Sequence, residues 1–211
     1  MSALNYLLPI GSMSLSDQKR YRMMAVAAGI ERASQKAIGN IADEVPGVAG
    51  VADRNARVNA ILKYLEAGNV PASIDIREFQ PLLDGGAGVD AWVSAVIAAV
   101  GGVYAVLAGV LAPVMPANRL GVIYKVGIET APSPVSRLTI RSGGAAGNIV
   151  GVFDLEQLVN RLETEGFFSE PVVIDPNITY AMQVTGRIAA AALARVQLGF
   201  LIFEQAGQTI A

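Results

Sequence analysis

Histidine and cysteine are both absent from the 211 residues. Without cysteine there can be no disulfide, no thiolate nucleophile, no thiolate zinc site and no Cys-ligated iron–sulfur cluster. Without histidine the chain lacks the commonest general base and the commonest transition-metal ligand. Chemistry resting on carboxylate, lysine or serine is what remains. Aromatic residues are scarce at 6%, which leaves no stacking platform for single-stranded nucleic acid. Charge is scarce too: charged residues are 16% of the chain and hydrophobic ones 53%, against roughly 25% and 45–50% in ordinary soluble domains. That apolar surplus has to be hidden in a large core, in a subunit interface or in a bilayer.

The net charge of −2 provides no basic field for general nucleic-acid binding. Lys19, Arg20, Arg22, Arg32 and Lys36 thicken the positive charge near the N-terminus, but Glu31, Asp43 and Glu44 interrupt it. A solvated helix face explains this better than a polyanion contact. Tyr6-Leu7-Leu8-Pro9-Ile10 is too short for a signal core and has no basic leader, so no signal peptide is expected.

Residues 1–16 are expected to be an extended apolar arm, with Ser14 or Ser16 capping a helix from Asp17 to about Val45, where Pro46 stops it. Gly29 and Gly39 suit close helix–helix contact. A second helix over about 51–67 places Val58, Ile61, Leu62 and Leu65 on one face and ends at Gly68-Asn69. Val70–Gly88 reads as loop with one short element. The segment 91–115 then runs without any charge. It is expected to form an apolar helix over 91–113, either buried on all sides in an oligomer or touching a membrane, since its length would cross a bilayer. Small residues dominate it and give little transfer energy, which favours burial in protein.

From Leu120 the apolar period becomes two: Leu120, Val122, Tyr124, Val126 and Ile128 alternate with their neighbours, shorter alternations follow at 137–141 and 178–185, short apolar strands at 149–153 and 172–174, and a final strand at 195–204. The last of these carries Leu201 and Phe203 on its second face and should be buried on both sides. A short helix over 155–163 is expected after Asp154. The fold class is therefore α+β: an arm (1–16), a helical region (17–115) and an antiparallel β-sandwich (119–211), with a soft boundary near Met115–Arg119.

Candidate chemistry is thin. Gly85-Gly86-Ala87-Gly88 precedes the apolar segment but has no following Lys-Ser or Lys-Thr, and Asp84 and Asp90 flank it with the wrong charge for phosphate. Ser142–Gly147 reads as a turn. Asp154 with Glu156, and Glu163 with Glu165, could act as acid and base or hold a hard cation. A helix cap and a solvated helix side explain them more simply. Ser16 and Lys19 have the Ser-x-x-Lys spacing without any supporting motif. No catalytic, cofactor or metal residue is assigned, and no enzyme is expected.

The stretch Pro-Val-Val-Ile-Asp-Pro-Asn-Ile-Thr-Tyr-Ala-Met-Gln-Val-Thr-Gly at 171–186, followed by the apolar final strand, resembles the late strands of β-sandwich proteins of bacteriophage particles. These are jelly-roll coat proteins and capsid decoration proteins, and the resemblance spans roughly the last 90 residues. It implies a virion structural protein made in the host cytoplasm and acting through arms and subunit interfaces. The expected partners are copies of itself, a trimer foremost, and other virion proteins, with no specific nucleic acid. The alternatives are a membrane-associated protein anchored by 91–115 and a β-sandwich module for carbohydrate or another ligand.

Overall fold

The computed structural model describes residues 6–85, 92, 94–107, 113–129, 133–188 and 193–207. In chain order the elements are β1 (Leu7–Pro9), α1 (Leu15–Gln35), α2 (Ile41–Glu44), α3 (Arg54–Glu66), β2 (Ile74–Glu78), α4 (Pro81–Asp84), β3 (Ser94–Val96) and β4 (Val103–Ala105). They continue with β5 (Arg119–Ile128), β6 (Val135–Ser142), β7 (Asn148–Asp154), α5 (Glu156–Val159), β8 (Glu165–Ile174), β9 (Tyr180–Gly186) and β10 (Leu193–Gln205). The class is α+β, with every strand pair antiparallel.

The helices start where polar caps allow. Ser14 Oγ accepts from the Asp17 amide at 3.1 Å to open α1, and Asp53 Oδ1 accepts from the Asn55 amide at 3.0 Å to open α3. Gly68, at φ 82°, closes α3 as the sequence predicts. Helix α1, however, stops at Gln35, ten residues short of the expected Val45. Ala37 takes the left-handed conformation (φ 55°), and the Ile38 amide returns to the Ala33 carbonyl at 2.9 Å. That hydrogen-bonded reversal is one glycine usually makes, so composition gives no sign of it.

The uncharged segment is a second correction. Within 91–113 the described residues form no helix: 94–96 and 103–105 are strands, with Gly101 at φ 76° turning the chain between them and Trp92 bridging Leu107. Val96, Ile97, Val100, Val103 and Val106 are β-branched and fit a pleated surface better than a helix. Among the described residues no helix is long and apolar enough to cross a membrane. Residues 86–91, 93 and 108–112 lie outside the described set, as do 189–192 between the last two strands and the first five residues of the expected extended arm.

Two sheets result. One has the order β1-β8-β5-β10-β2, with β3 also on β10; the other has the order β4-β9-β6-β7. Strands β2 and β3 share the same side of β10. Between the pairs Glu78–Leu201 and Ser94–Arg195, β10 advances six residues while the front chain advances sixteen, so β2 and β3 are one strand interrupted by an excursion that carries α4. The pairings are nested: β6 with β7 innermost, then β5 with β8, β4 with β9, and β2/β3 with β10 outermost. Thus the helical region expected over 17–115 supplies strands to both sheets instead of standing apart from them.

The six-stranded sheet is buried on both faces. Ile123, Val126, Ile128, Leu198, Phe200 and Ile202 point to the inter-sheet core and meet Leu138, Ile140, Phe153, Tyr180, Met182 and Val184. Leu120, Val122, Tyr124, Leu201 and Phe203 point the other way, under Ala25, Ala27, Ile30 and Ala33 of α1. The expected two-sided burial of the last strand is found here. Gly29 is the closest point of this contact: a Cβ there would lie 2.1 Å from Phe203 Cζ. The small residue thus serves helix-on-sheet approach, where the sequence had pointed to helix-on-helix.

Tyr180 is fully buried in the inter-sheet core, edge-on to Phe200 with ring centroids 6.0 Å apart. Its hydroxyl has no hydrogen-bond partner among the described residues. Burial, with the nearby Asp84 charge, pushes its pKa far above the ordinary phenol value. A desolvated hydroxyl without a partner costs about 1–3 kcal/mol. Tyr180→Phe is therefore expected to raise stability by about 1 kcal/mol, read as an increased urea midpoint at unchanged slope. A loss of stability would show that the hydroxyl has a partner.

Candidate functional site

Some of the charged side chains are drawn into enclosed clusters. The most enclosed joins four residues across the end of the six-stranded sheet. Arg77 on β2 donates from Nε to Glu204 Oε1 at 2.9 Å and from its two terminal nitrogens to Asp84 at 2.6 and 2.7 Å. Arg119, opening β5, places Nε 2.6 Å from Glu204 Oε2 and Nη1 3.6 Å from Asp84. The Arg119–Glu204 contact is short but poorly aligned, an ion pair more than a hydrogen bond. The Asp84 and Glu204 side chains are only 3% and 5% exposed, so two carboxylates and two guanidiniums neutralise one another out of water. The Arg77 guanidinium is held charged even more firmly than usual, chiefly by its bonds to Asp84. Because Asp84 sits on α4, this square ties the excursion between β2 and β3 to the sheet.

Two further clusters fix the helices. Glu31 of α1, buried, takes Arg57 of α3 at 2.5 and 3.1 Å and Gln35 at 2.6 Å, while Arg57 Nη1 donates to the Val51 and Ala52 carbonyls. Asp175, at the β8–β9 turn, receives Arg32 at 2.7 and 2.5 Å and Lys36 at 3.3 Å. Arg32 and Lys36 of the basic N-terminal group are thus paired internally, and Arg22 meets Glu78 at 3.1 Å. Lys19 and Arg20 have no ion-pair partner among the described residues.

The Arg32 hydrogen bond holds the Asp175 carboxyl below its ordinary value of 3.8. The folded protein therefore binds fewer protons at this acid than the unfolded chain. Its contribution is complete above the ordinary carboxylate value and is lost as pH falls through the lowered one. Asp175→Asn is expected to cost on the order of 1 kcal/mol near neutrality and to flatten the acid limb of stability below about pH 4. Urea unfolding from pH 2 to 7 reads both effects, and an unchanged acid limb would contradict the assignment.

The carboxylate pairs singled out by sequence have structural partners. Asp154 Oδ1 accepts from the Glu156 amide at 2.9 Å, and Glu156 lies 3.5 Å from Arg187. The two do share a pocket of about 430 Å³ with Ser136, Arg137 and Val152. Glu163 accepts from the Gly11 amide at 2.8 Å, and Glu165 pairs with Lys125 at 3.2 Å. Ser16 Oγ sits 2.7 Å from Ser14 Oγ, the residue that caps α1. Gly143 and Gly144 take positive φ in the β6–β7 turn. Of the Gly85–Gly88 run only Gly85 lies within the described residues, where it closes α4. No group of three or more acidic side chains able to hold a metal ion occurs among the described residues.

Apolar side chains are also left at the surface. A groove of about 420 Å³ opens between α1, the end of α3 and β2. Met23, Val26, Leu65, Val70, Ile76 and Leu201 line it, with Lys19, Arg22 and Arg77 as its charged residues. Val70 is 58% exposed there. At the opposite edge of the same sheet Leu162 is 83% exposed, and Val100 and Val103 are exposed at the β3–β4 corner. Sequence periodicity could not single out these residues, because exposure of an apolar side chain depends on where the sheet ends. No family model and no curated protein matches the chain.

Proposed function

We propose that this chain is a self-assembling structural subunit of a virus particle, a coat or cement protein, whose two sheets form a jelly roll carrying a helical layer on one outer face. The observation that carries this is the nested strand order. One long antiparallel ribbon, with β6 and β7 at its closed end and β2/β3 and β10 at its open end, folds over on itself. Pairing of β5 with β10 and of β6 with β9 then makes two sheets of the ribbon. That is the double-Greek-key order of jelly rolls, which include many viral shell domains as well as lectins and cupins. Choosing the shell among these is an argument from fold type. It is supported by a chain with only 16% charged residues and by apolar side chains left open, Leu15, Val70, Val100, Val103 and Leu162 at 58–83% exposure. Apolar exposure on this scale fits contact with further protein. A trimer with copies of itself, joined by other virion proteins, remains the favoured assembly.

Negative-stain electron microscopy of the purified chain tests the proposal. Uniform closed rings or shells are expected; dispersed single subunits at micromolar concentration would contradict it. Asp154→Ala with Glu156→Ala should leave those assemblies intact, and loss of a measurable turnover in that variant would favour an enzyme instead.

A further inference from the structure

Leu162 combines two disadvantages. It follows α5 as the residue that reverses the chain: its amide bonds to the Val159 carbonyl at 3.1 Å, and the next amide, Glu163, reaches back to the Leu158 carbonyl at 3.0 Å. The reversal holds Leu162 at φ 56°, a left-handed conformation that glycine adopts freely and leucine does not. Its side chain is 83% exposed and so gains almost nothing from the fold around it. Strain on an exposed apolar side chain points to a role outside the isolated subunit.

We infer that Leu162 of one copy seats in the groove between α1, the end of α3 and β2 of the next copy, giving a head-to-tail contact. This rests on the self-assembly proposed above and names its contact. The corner holding Leu162 leads into β8, at the β1/β8 edge of the six-stranded sheet, while the groove lies along β2 at the other edge. A single subunit cannot bring the two together. The groove supplies an apolar floor (Met23, Val26, Ile76, Leu201) for one branched side chain. Its rim carries Lys19, without an ion-pair partner among the described residues, to meet the incoming Glu163 next to Leu162, whose carboxylate accepts from the Gly11 amide but has no cation beside it among the described residues. Arg161, on the other side of Leu162, is a like charge the contact must keep in solvent, and Glu165 stays with Lys125. Because knob and groove are different surfaces, every subunit keeps one free after binding, so the contact propagates into a ring if its rotation closes.

Two variants remove one surface each. Leu162→Gly suits the left-handed turn and should fold with a thermal midpoint at or above that of the parent, yet associate roughly thirtyfold more weakly, as loss of an interface hot spot does. Leu162→Asn, which also tolerates the conformation, should behave alike. Val70→Asp places a charge on the exposed groove wall and should weaken association similarly without unfolding. Each variant keeps the surface the other lacks, so mixing Leu162→Gly with Val70→Asp should give a one-to-one complex and nothing larger, read by sedimentation velocity. Retention of the parent assembly by Leu162→Gly or Val70→Asp, or absence of the mixed complex, overturns the contact while leaving self-assembly standing. A parent chain that sediments as a monomer overturns both.

Discussion

Glu204→Ala is expected to destabilise the protein by roughly 3–5 kcal/mol, the cost of breaking a buried ion pair from one side. Glu204 holds Arg77 through Oε1 and Arg119 through Oε2 at 2.9 and 2.6 Å. Its removal leaves two guanidiniums, 21% and 12% exposed, sharing Asp84 alone. One net positive charge would then be shut in at the end of the sheet. The penalty should be largest for the excursion between β2 and β3, since Asp84 is what ties α4 down. Hydrogen exchange is expected to show faster opening of 74–84 in the variant than of β6 and β7. Replacing Arg77, Asp84, Arg119 and Glu204 together by apolar residues of similar size should cost much less than the single change, because the attraction within such a group mainly offsets its own desolvation. A single-variant loss below about 1 kcal/mol would mean that the square is wetter than its exposure indicates.

Phe203→Ala is expected to cost about 3–5 kcal/mol, the range for large-to-small aromatic changes in a close-packed core. Phe203 is fully buried between β10 and α1, and its ring fills the space left by the missing Cβ of Gly29. The complementary change tests the same contact from the other side. Alanine at 29 would gain about 1 kcal/mol of helix propensity in an exposed helix. Here its methyl would meet the ring at 2.1 Å, so a net loss of about 1–3 kcal/mol is expected. Combining Gly29→Ala with Phe203→Leu should recover part of both losses, since the two share one volume. Denaturant midpoints of the three variants check this, and strict additivity would show that Gly29 and Phe203 do not meet.

These contacts show where sequence reading succeeds and where it stops. The strands from Leu120 onward were legible because one face of each alternates, and the two-faced burial of β10 followed from Leu201 and Phe203 standing among Leu198, Phe200 and Ile202. The cap at Ser14 or Ser16 and the stop at Gly68 are local signals and were equally readable, whereas the sequence reading misses Asp53, the cap of α3, and starts that helix about three residues early. The segment 91–115 was not. Composed of alanine, glycine and valine without any charge, it has no polar face to set a period, so helix and strand fit it alike. What decided the matter was the need of β9 and β10 for neighbours, which no local window contains. The ion clusters were hidden for the same reason: Arg77 and Glu204 are 127 residues apart. Ala37 and Leu162 take positive φ where composition offers no glycine, so the end of α1 and the exposed corner gave no warning. Of the candidate surface, sequence conveyed the apolar surplus and not its location.

Self-assembly driven by that surplus is tested most directly by the mass of the purified chain, measured by light scattering behind size-exclusion chromatography over a hundredfold range of concentration. A mass of three or more subunits, stable across the range and falling in Leu162→Gly, is the expected result. A single 22.0 kDa species at every concentration would contradict it.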